Sequence, residues 1–138
     1  MRVSEIMHKG CQYLASSDKV AQAAQVMANH DLGVVPIAEN EKLVGMVTDR
    51  DIVVRGIAQG RDLNSATVGD LMTDEVYYCY DDQECQEVAH NMSEMQIRRM
   101  PVVNREKELV GIVSLGDLAT RGPQAAATDA LQGVSEPG

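Results

Sequence analysis

An internal repeat constrains this sequence more than any other feature. The stretch "LVGMVTDRDI", from Leu43 to Ile52, is matched by "LVGIVSLGDL", from Leu109 to Leu118. Upstream, "VSEIM" at 3–7 matches "VGDLM" at 68–72, and the two prolines, Pro36 and Pro101, share the same spacing of 65 residues. One extra residue in a polar turn shifts the last match. Such self-similarity predicts two copies of one folding unit, at 1–62 and 63–120.

Each copy has the same pattern of helices and strands. The stretch 16–33 begins with Ser and Asp as candidate caps, has apolar residues at helical spacing, and closes on Gly33, so it predicts an amphipathic helix. Its counterpart runs from about Glu84 to Met95. A brief strand precedes each helix, near 12–15 and 76–79, and two strands joined by a polar turn follow it. A short helix ends each copy.

We therefore predict an α+β fold of two β-α-β-β-α repeats packed with pseudo-twofold symmetry. One copy of about 60 residues would bury too little surface to be robust alone. The surfaces that face each other across the symmetry axis would form a cleft, where a ligand is expected to bind. The last segment, 121–138, has no periodicity and predicts a flexible tail.

Charge and cysteine content restrict the partners and the compartment. Twelve basic and 21 acidic residues give a net charge of −9, which disfavours nucleic acid and anionic membranes as partners. No apolar run approaches the length of a membrane span, and the first residues lack the pattern of a secretory signal, so a cytoplasmic location is expected. Cys11, Cys79 and Cys85 form no C-x-x-C pair and are interpreted as small apolar side chains.

The order of the repeated motifs resembles a known family. In each copy V-x-[DE]-[IL]-M, an amphipathic helix, a hydrophobic-Pro-[VI] strand and G-[MI]-V-[TS]-x-x-D follow one another. This order resembles a tandem pair of cystathionine β-synthase (CBS) domains, or Bateman module, and in particular the stand-alone bacterial CBS-pair proteins. The resemblance covers residues 3 to about 120. It implies an adenosyl ligand such as AMP, ADP, ATP or S-adenosylmethionine, and no required cofactor.

The [TS]-x-x-D motif supplies the first site residues. The resemblance implies that Asp51 and Asp117 hold ribose hydroxyls, while Thr48 and Ser114 lie near the phosphate. A carboxylate can accept hydrogen bonds from both hydroxyls of a ribose. The same pattern is also the capping box, in which hydroxyl and carboxylate satisfy the amides of their own helix. Both interpretations stay open at the sequence level, and one site can serve both roles.

Basic residues distinguish the two copies. Arg98 and Arg99 precede the second proline, and the resemblance implies that they reach the ligand's phosphates, for which a guanidinium is well suited. The first copy has Arg50 beside its aspartate instead. Alternatively, the two arginines form a solvated patch paired with Glu94 or Glu106.

An adenine ring needs a mostly apolar slot. The candidates lie where each copy's strands begin, and they are Tyr13, Val35, Pro36, Tyr78, Met100 and Pro101. For Val35 and Met100 the backbone is the expected contact. The two tyrosines can equally cover the edge of a sheet.

Metal and catalytic chemistry find little support in the sequence. His8, His30 and His90 show no spacing typical of a zinc site, alone or with the cysteines, so no metal is predicted. No serine or cysteine forms a known nucleophile–base motif with a histidine, so the chain is not predicted to be an enzyme.

The predicted function is that of a regulatory sensor. An adenosyl ligand would change the packing of the two copies, and a separate partner protein would respond to that change. The resemblance implies a homodimer, because CBS pairs generally associate through their helices. The methionines on the packing side of the long helices, Met27, Met92 and Met95, are then either core residues or part of this interface. The alternative is a scaffold that forms a homodimer without any ligand.

Overall fold

A computed structural model describes residues 1–74 and 76–128 of the chain. Within them, the strands in chain order are β1 (His8–Lys9), β2 (Val34–Glu39), β3 (Lys42–Thr48), β4 (Cys79–Tyr80), β5 (Arg99–Val103) and β6 (Leu109–Ser114). The α-helices are α1 (Val20–His30), α2 (Asp49–Asp51), α3 (Val68–Leu71), α4 (Cys85–Met95) and α5 (Leu115–Arg121). A 3-10 turn covers Val3–Glu5, and α2 continues into a π-helix at Ile52–Ile57. None of the described helices has the length and apolarity needed to cross a membrane.

The chain forms two compact units. The first-copy unit is Gln12–Val76, and the second-copy unit combines Met1–Cys11 with the chain from Tyr77 onward. The predicted repeats, 1–62 and 63–120, are the two copies of the duplicated sequence. The compact units differ from those repeats because each contains the leading segment of the other copy.

Backbone hydrogen bonds and buried side chains hold the exchanged segments. In the second-copy unit the Val3 N–H donates to the Gln83 carbonyl at 2.9 Å, and Val3 and Ile6 lie in the core. In the first-copy unit the Val68 N–H donates to the Asp18 carbonyl at 2.8 Å, and Leu71 joins Val68 in the core. Both leading motifs therefore make equivalent contacts, each within the unit of the other copy.

The second-copy unit is built on a four-stranded sheet. Its strand order is β1-β6-β5-β4, with β4 parallel to β5 and the other pairs antiparallel. Helices α4 and α5 bury Val88, Met92, Leu115 and Leu118 in its core. The predicted order of strands and helices is confirmed for this copy, although the strand expected near 76–79 lies at Cys79–Tyr80.

The first-copy unit has the matching arrangement, but single bridges replace its two edge strands. Strands β2 and β3 form an antiparallel pair, Leu14 bridges Ile37 in parallel, and Thr73 bridges Met46. The strand expected near 12–15 is thus a single bridge. The helix α1 buries Val20 and Met27 in the core.

The ends of α1 differ from the prediction. Its N-cap is Lys19, without a side-chain cap, because the carboxylate of Asp18 instead accepts the Ala15 N–H at 2.8 Å. The helix ends at Asp31 rather than at Gly33, since Asp31 adopts the left-handed conformation with φ 54°. Aspartate tolerates this conformation better than most residues, and Gln96 takes the same role after α4.

Two further predictions concern the short helix after β3 and the C-terminal segment 121–138. The helix after β3 leaves Val53, Val54 and Ile57 exposed along its π-helical part. The flexible tail expected at 121–138 begins instead with the last residue of α5, and residues 124–128 are helical, with Ala126 buried in the second-copy core. The remainder of that predicted tail, 129–138, lies outside the described residues.

The three methionines predicted to be core or interface residues differ in their burial. Met27 and Met92 belong to the cores of their own units, so they are not available to a partner. Met95, at the end of α4, is exposed.

Candidate functional site

The first site lies where β3 ends and α2 begins. The Thr48 Oγ1 accepts the Asp51 N–H at 3.0 Å, and the Asp51 Oδ2 accepts the Thr48 N–H at 2.9 Å. This reciprocal pair is a capping box, so the capping interpretation describes the geometry of these residues. In the described part of the chain, no donor is hydrogen-bonded to the other oxygen, Asp51 Oδ1.

The second site repeats this geometry between β6 and α5. The Ser114 Oγ accepts the Asp117 N–H at 3.0 Å, and the Asp117 Oδ2 accepts the Ser114 N–H at 3.1 Å. Here the remaining oxygen is occupied, because the imidazole Nε2 of His8 lies 3.1 Å from Asp117 Oδ1. Sequence reasoning missed this contact, since no motif links residues 109 positions apart.

A capping box does not prevent ribose binding. A carboxylate offers about four lone-pair positions, and the cap uses one of them. At Asp51 the second oxygen, Oδ1, takes no part in the cap. At Asp117 the equivalent oxygen, Oδ1, is the one that His8 contacts.

The arginines lie beside the second site. Arg99 is in register with Ser114 across β5 and β6, which places their side chains on the same face as direct neighbours. The carbonyl of Arg98 accepts the Leu115 N–H at 2.9 Å. Neither guanidinium is ion-paired with a carboxylate of the described residues, and Glu94 lies instead 4.0 Å from His90. Arg99 is therefore a direct neighbour of Ser114, and no carboxylate of the described residues neutralises either charge.

The first site has no charge at the equivalent positions, Gly33 and Val34. Val34 is in register with Thr48, and the carbonyl of Gly33 accepts the Asp49 N–H at 2.9 Å. The Asp49 carboxylate lies against Gly33, where a Cβ would be 3.3 Å from its Oδ2. Its other oxygen accepts the Arg50 N–H at 2.8 Å. Asp49 was not predicted as a site residue, and it makes the first site more acidic than the second.

The candidates for an adenine slot divide into buried and exposed residues. All four strand residues, Val35, Pro36, Met100 and Pro101, are buried in β2 and β5. The side chains of Val35 and Met100 belong to the two cores, so only their backbone is available for contact, whereas Pro36 and Pro101 are in neither core cluster. Tyr13 is exposed.

Tyr78 lies in an aromatic cluster at the turn between β5 and β6. Its ring packs edge-on against Tyr80 at 5.7 Å between centroids, and the Lys107 Nζ lies 5.8 Å from its centroid. Arg105 covers the Tyr80 ring at 4.0 Å and forms two hydrogen bonds to Asp82. Lys107 precedes β6 and Ser114 ends it, so this cluster lies at the end of the strand away from the second site. The interpretation of Tyr78 as cover for the sheet edge fits this placement better than base stacking.

The cysteines behave as apolar side chains. Burial raises the pKa of Cys79 to about 12, and burial also raises the pKa of Cys85 and of Cys11. All three thiols are therefore protonated near neutral pH, and a thiol that binds a metal loses this proton on binding. No group of three or more His, Cys, Asp or Glu side chains among the described residues is arranged to hold a metal ion.

Comparison with known proteins identifies the family. The model of the CBS domain matches residues 3–56 and 68–122, so the chain belongs to the CBS-domain family and contains a pair of these domains. Hypoxic response protein 1 of Mycobacterium tuberculosis (strain ATCC 25618 / H37Rv) is 40% identical over 134 residues, which cover 96% of this chain and 93% of that protein. The predicted resemblance to stand-alone bacterial CBS-pair proteins is confirmed. CBS pairs are generally regulatory modules rather than catalytic ones.

Two solved structures share the fold. The crystal structure of Hypoxic Response Protein I, with two coordinated zinc ions, superposes with a TM-score of 0.80 at 40% identity and covers 89% of this chain and all of that one. The CBS domain pair of protein MJ0100, in complex with 5'-methylthioadenosine and S-adenosyl-L-methionine, gives a TM-score of 0.73 at 31% identity and covers 86% and 93% of the two chains. Among the residues of the present chain that the structure describes, no three or more candidate ligands lie together as they would around such an ion.

Proposed function

We propose that this CBS pair is a sensor of adenosyl ligands, with one binding site, here called a seat, at Asp51 and another at Asp117. The duplicated capping box carries the proposal, because in each copy one carboxylate oxygen, Oδ2, caps a helix and the other takes no part in the cap. The ligands bound by MJ0100, at 31% identity, support an adenosyl group as the shared chemical feature. We expect the protein to act in the cytoplasm and a separate partner protein to respond to the bound state.

The charges beside the two seats support different ligands. Arg98 and Arg99 flank the second site, so a phosphorylated ligand such as AMP suits it best. Asp49 lies beside the first site, where a neutral or cationic ligand, such as 5'-methylthioadenosine or the sulfonium S-adenosylmethionine, is favoured. The chain is thus proposed to distinguish phosphorylated from unphosphorylated adenosyl compounds.

Replacing Arg99 tests the phosphate seat. The variant Arg99→Gln is expected to bind AMP about tenfold more weakly, since a charge-assisted hydrogen bond is lost, and to bind 5'-methylthioadenosine as well as the wild type does. Isothermal titration calorimetry with both compounds measures the two affinities. Arg105→Gln is the matched control, because it removes the same charge at the other end of the hairpin. An equal loss of affinity for both ligands would assign Arg99 a structural role.

The homodimer is the second part of the proposal. Val53, Val54 and Ile57 expose three large aliphatic side chains on one short helical stretch, and a second copy of the chain is the proposed occupant of this surface. Light scattering at micromolar concentration is expected to give twice the 15.0 kDa mass of one chain. The variant Ile57→Glu is expected to reduce this to one chain. A monomeric wild type would exclude the homodimer.

A further inference from the structure

We propose that His8 regulates the second site, so that ligand binding at Asp117 depends on pH while binding at Asp51 does not. This inference rests on the proposed function, since it concerns how one of the two adenosyl seats is controlled. It gives the two copies different responses to the same ligand.

The contact that carries the proposal lies within the second-copy unit. Pairing of β1 with β6 places His8 in register with Ile112, two residues before Ser114. From there the imidazole Nε2 reaches Asp117 Oδ1 at 3.1 Å, the carboxylate oxygen that the capping box leaves for a ligand. The Asp117 side chain is 14% exposed and His8 is 61% exposed. The imidazole is therefore the more exposed partner, and its displacement frees this oxygen for the two hydroxyls of a ribose.

Among the described residues, the first-copy unit has no histidine at the position equivalent to His8. Thr73 takes the place of His8, since it bridges Met46 of β3 as His8 pairs with Ile112 of β6. Threonine does not titrate, and no described donor is hydrogen-bonded to Asp51 Oδ1. The two seats thus share a capping box and differ in what occupies the outer oxygen.

The charges around His8 make Asp117 its electrostatic partner. Strand β6, which pairs with β1, has no charged side chain, and Lys9 points to the opposite face of β1. Helix α5 carries Arg121 one turn beyond Asp117, and the Glu5 carboxylate accepts the Arg2 N–H at 2.6 Å. Within the described residues, Asp117 is the carboxylate at ion-pairing distance from His8.

The sign of the pH effect follows from this contact. Histidine side chains change charge between about pH 5 and pH 8. A protonated imidazole makes a charge-assisted hydrogen bond to the carboxylate and competes with ribose hydroxyls for the same oxygen. A neutral imidazole holds that oxygen less strongly. Ligand affinity at the second site should therefore rise with pH, and binding should release protons from His8.

The experiment isolates the second site with Asp51→Asn in the full chain. The ligand is 5'-methylthioadenosine, which has no phosphate to titrate in this range. Calorimetry at about pH 5.5 and pH 8 is expected to show about threefold weaker binding at the lower pH, and two buffers of different ionisation enthalpy measure the released protons. Adding His8→Ala should remove both the pH dependence and the proton release. His90→Ala is the control, since His90 lies in the same unit and is also 61% exposed.

Three results would contradict the proposal. If His8→Ala leaves the pH dependence and proton release unchanged while the ligand still binds, His8 has no regulatory role, although the adenosyl seat stands. If the first site, isolated with Asp117→Asn, shows the same pH dependence, the asymmetry is wrong. If neither 5'-methylthioadenosine nor AMP binds the isolated second site, with or without His8 and at either pH, the proposed function fails together with this inference.

Discussion

The double variant Asp51→Asn/Asp117→Asn is expected to melt at the same temperature with and without AMP, whereas the wild type gains several degrees. A ligand at one hundred times its Kd stabilises the folded state by about 2.7 kcal/mol, which corresponds to a shift of this size for a chain of this length. An asparagine keeps one oxygen to accept the Thr48 or Ser114 N–H, so the cap survives. Its amide group is a donor and cannot accept a ribose hydroxyl.

The controls separate capping from binding. Without ligand, the double variant should lie within about 1 kcal/mol of the wild type in its free energy of unfolding, because both caps remain. The variant Asp49→Asn removes a neighbouring carboxylate outside the capping boxes and should keep the AMP-dependent shift. A full shift in the double variant would mean that the two aspartates serve only as helix caps.

The second large effect is expected at Gly111. A Cβ at this position would lie 2.8 Å from the His8 carbonyl oxygen and 2.8 Å from the Met7 Sδ, both closer than atoms pack. The variant Gly111→Ala therefore forces β1 away from β6, at a cost of about 2 kcal/mol in the free energy of unfolding, measured by urea denaturation. The leading segment of the chain is held against the second-copy sheet at this contact.

A matched substitution in the same unit serves as the comparison. A Cβ at Gly116, in α5, lies 3.6 Å from Ser114 Oγ, an ordinary contact. Gly116→Ala should therefore be neutral or stabilising by up to about 1 kcal/mol, since alanine favours a helix. Equal stability of Gly111→Ala and the wild type would show that β1 does not pack on β6 in solution.

Much of the fold was predictable because the same pattern of helices and strands occurs in both copies of the repeat. The hydrophobic-Pro strands, the long amphipathic helices and the [TS]-x-x-D helix starts all lie where the sequence predicts them. Local patterns sufficed for these elements, since strand alternation, helical spacing and a capping box each depend on neighbouring residues.

The exchange of the leading segments was not predictable in the same way. "VSEIM" and "VGDLM" bury equivalent residues, Val3 with Ile6 and Val68 with Leu71, so hydrophobic pattern alone favours neither copy as their partner. The contact of His8 with Asp117 depends on this exchange and on a strand of two residues. It could not be predicted without the three-dimensional arrangement.

The electrostatic difference between the sites was partly predictable. Arg98 and Arg99 stand out in the sequence as the residues that replace Gly33 and Val34. Asp49 does not, because only the fold brings its carboxylate against Gly33, next to Thr48. The proposed preference of each site for phosphorylated or unphosphorylated ligands depends on both observations.

Chemical-shift mapping of the ¹⁵N-labelled protein with AMP tests the central claim most directly. If the two capping boxes are adenosyl seats, the amide signals of Asp51 and Asp117 and of their partners Thr48 and Ser114 move in a saturable way. The signals at the second site should saturate first, because Arg98 and Arg99 lie beside it. Saturable changes confined to other residues, or no change at any AMP concentration, would contradict the account.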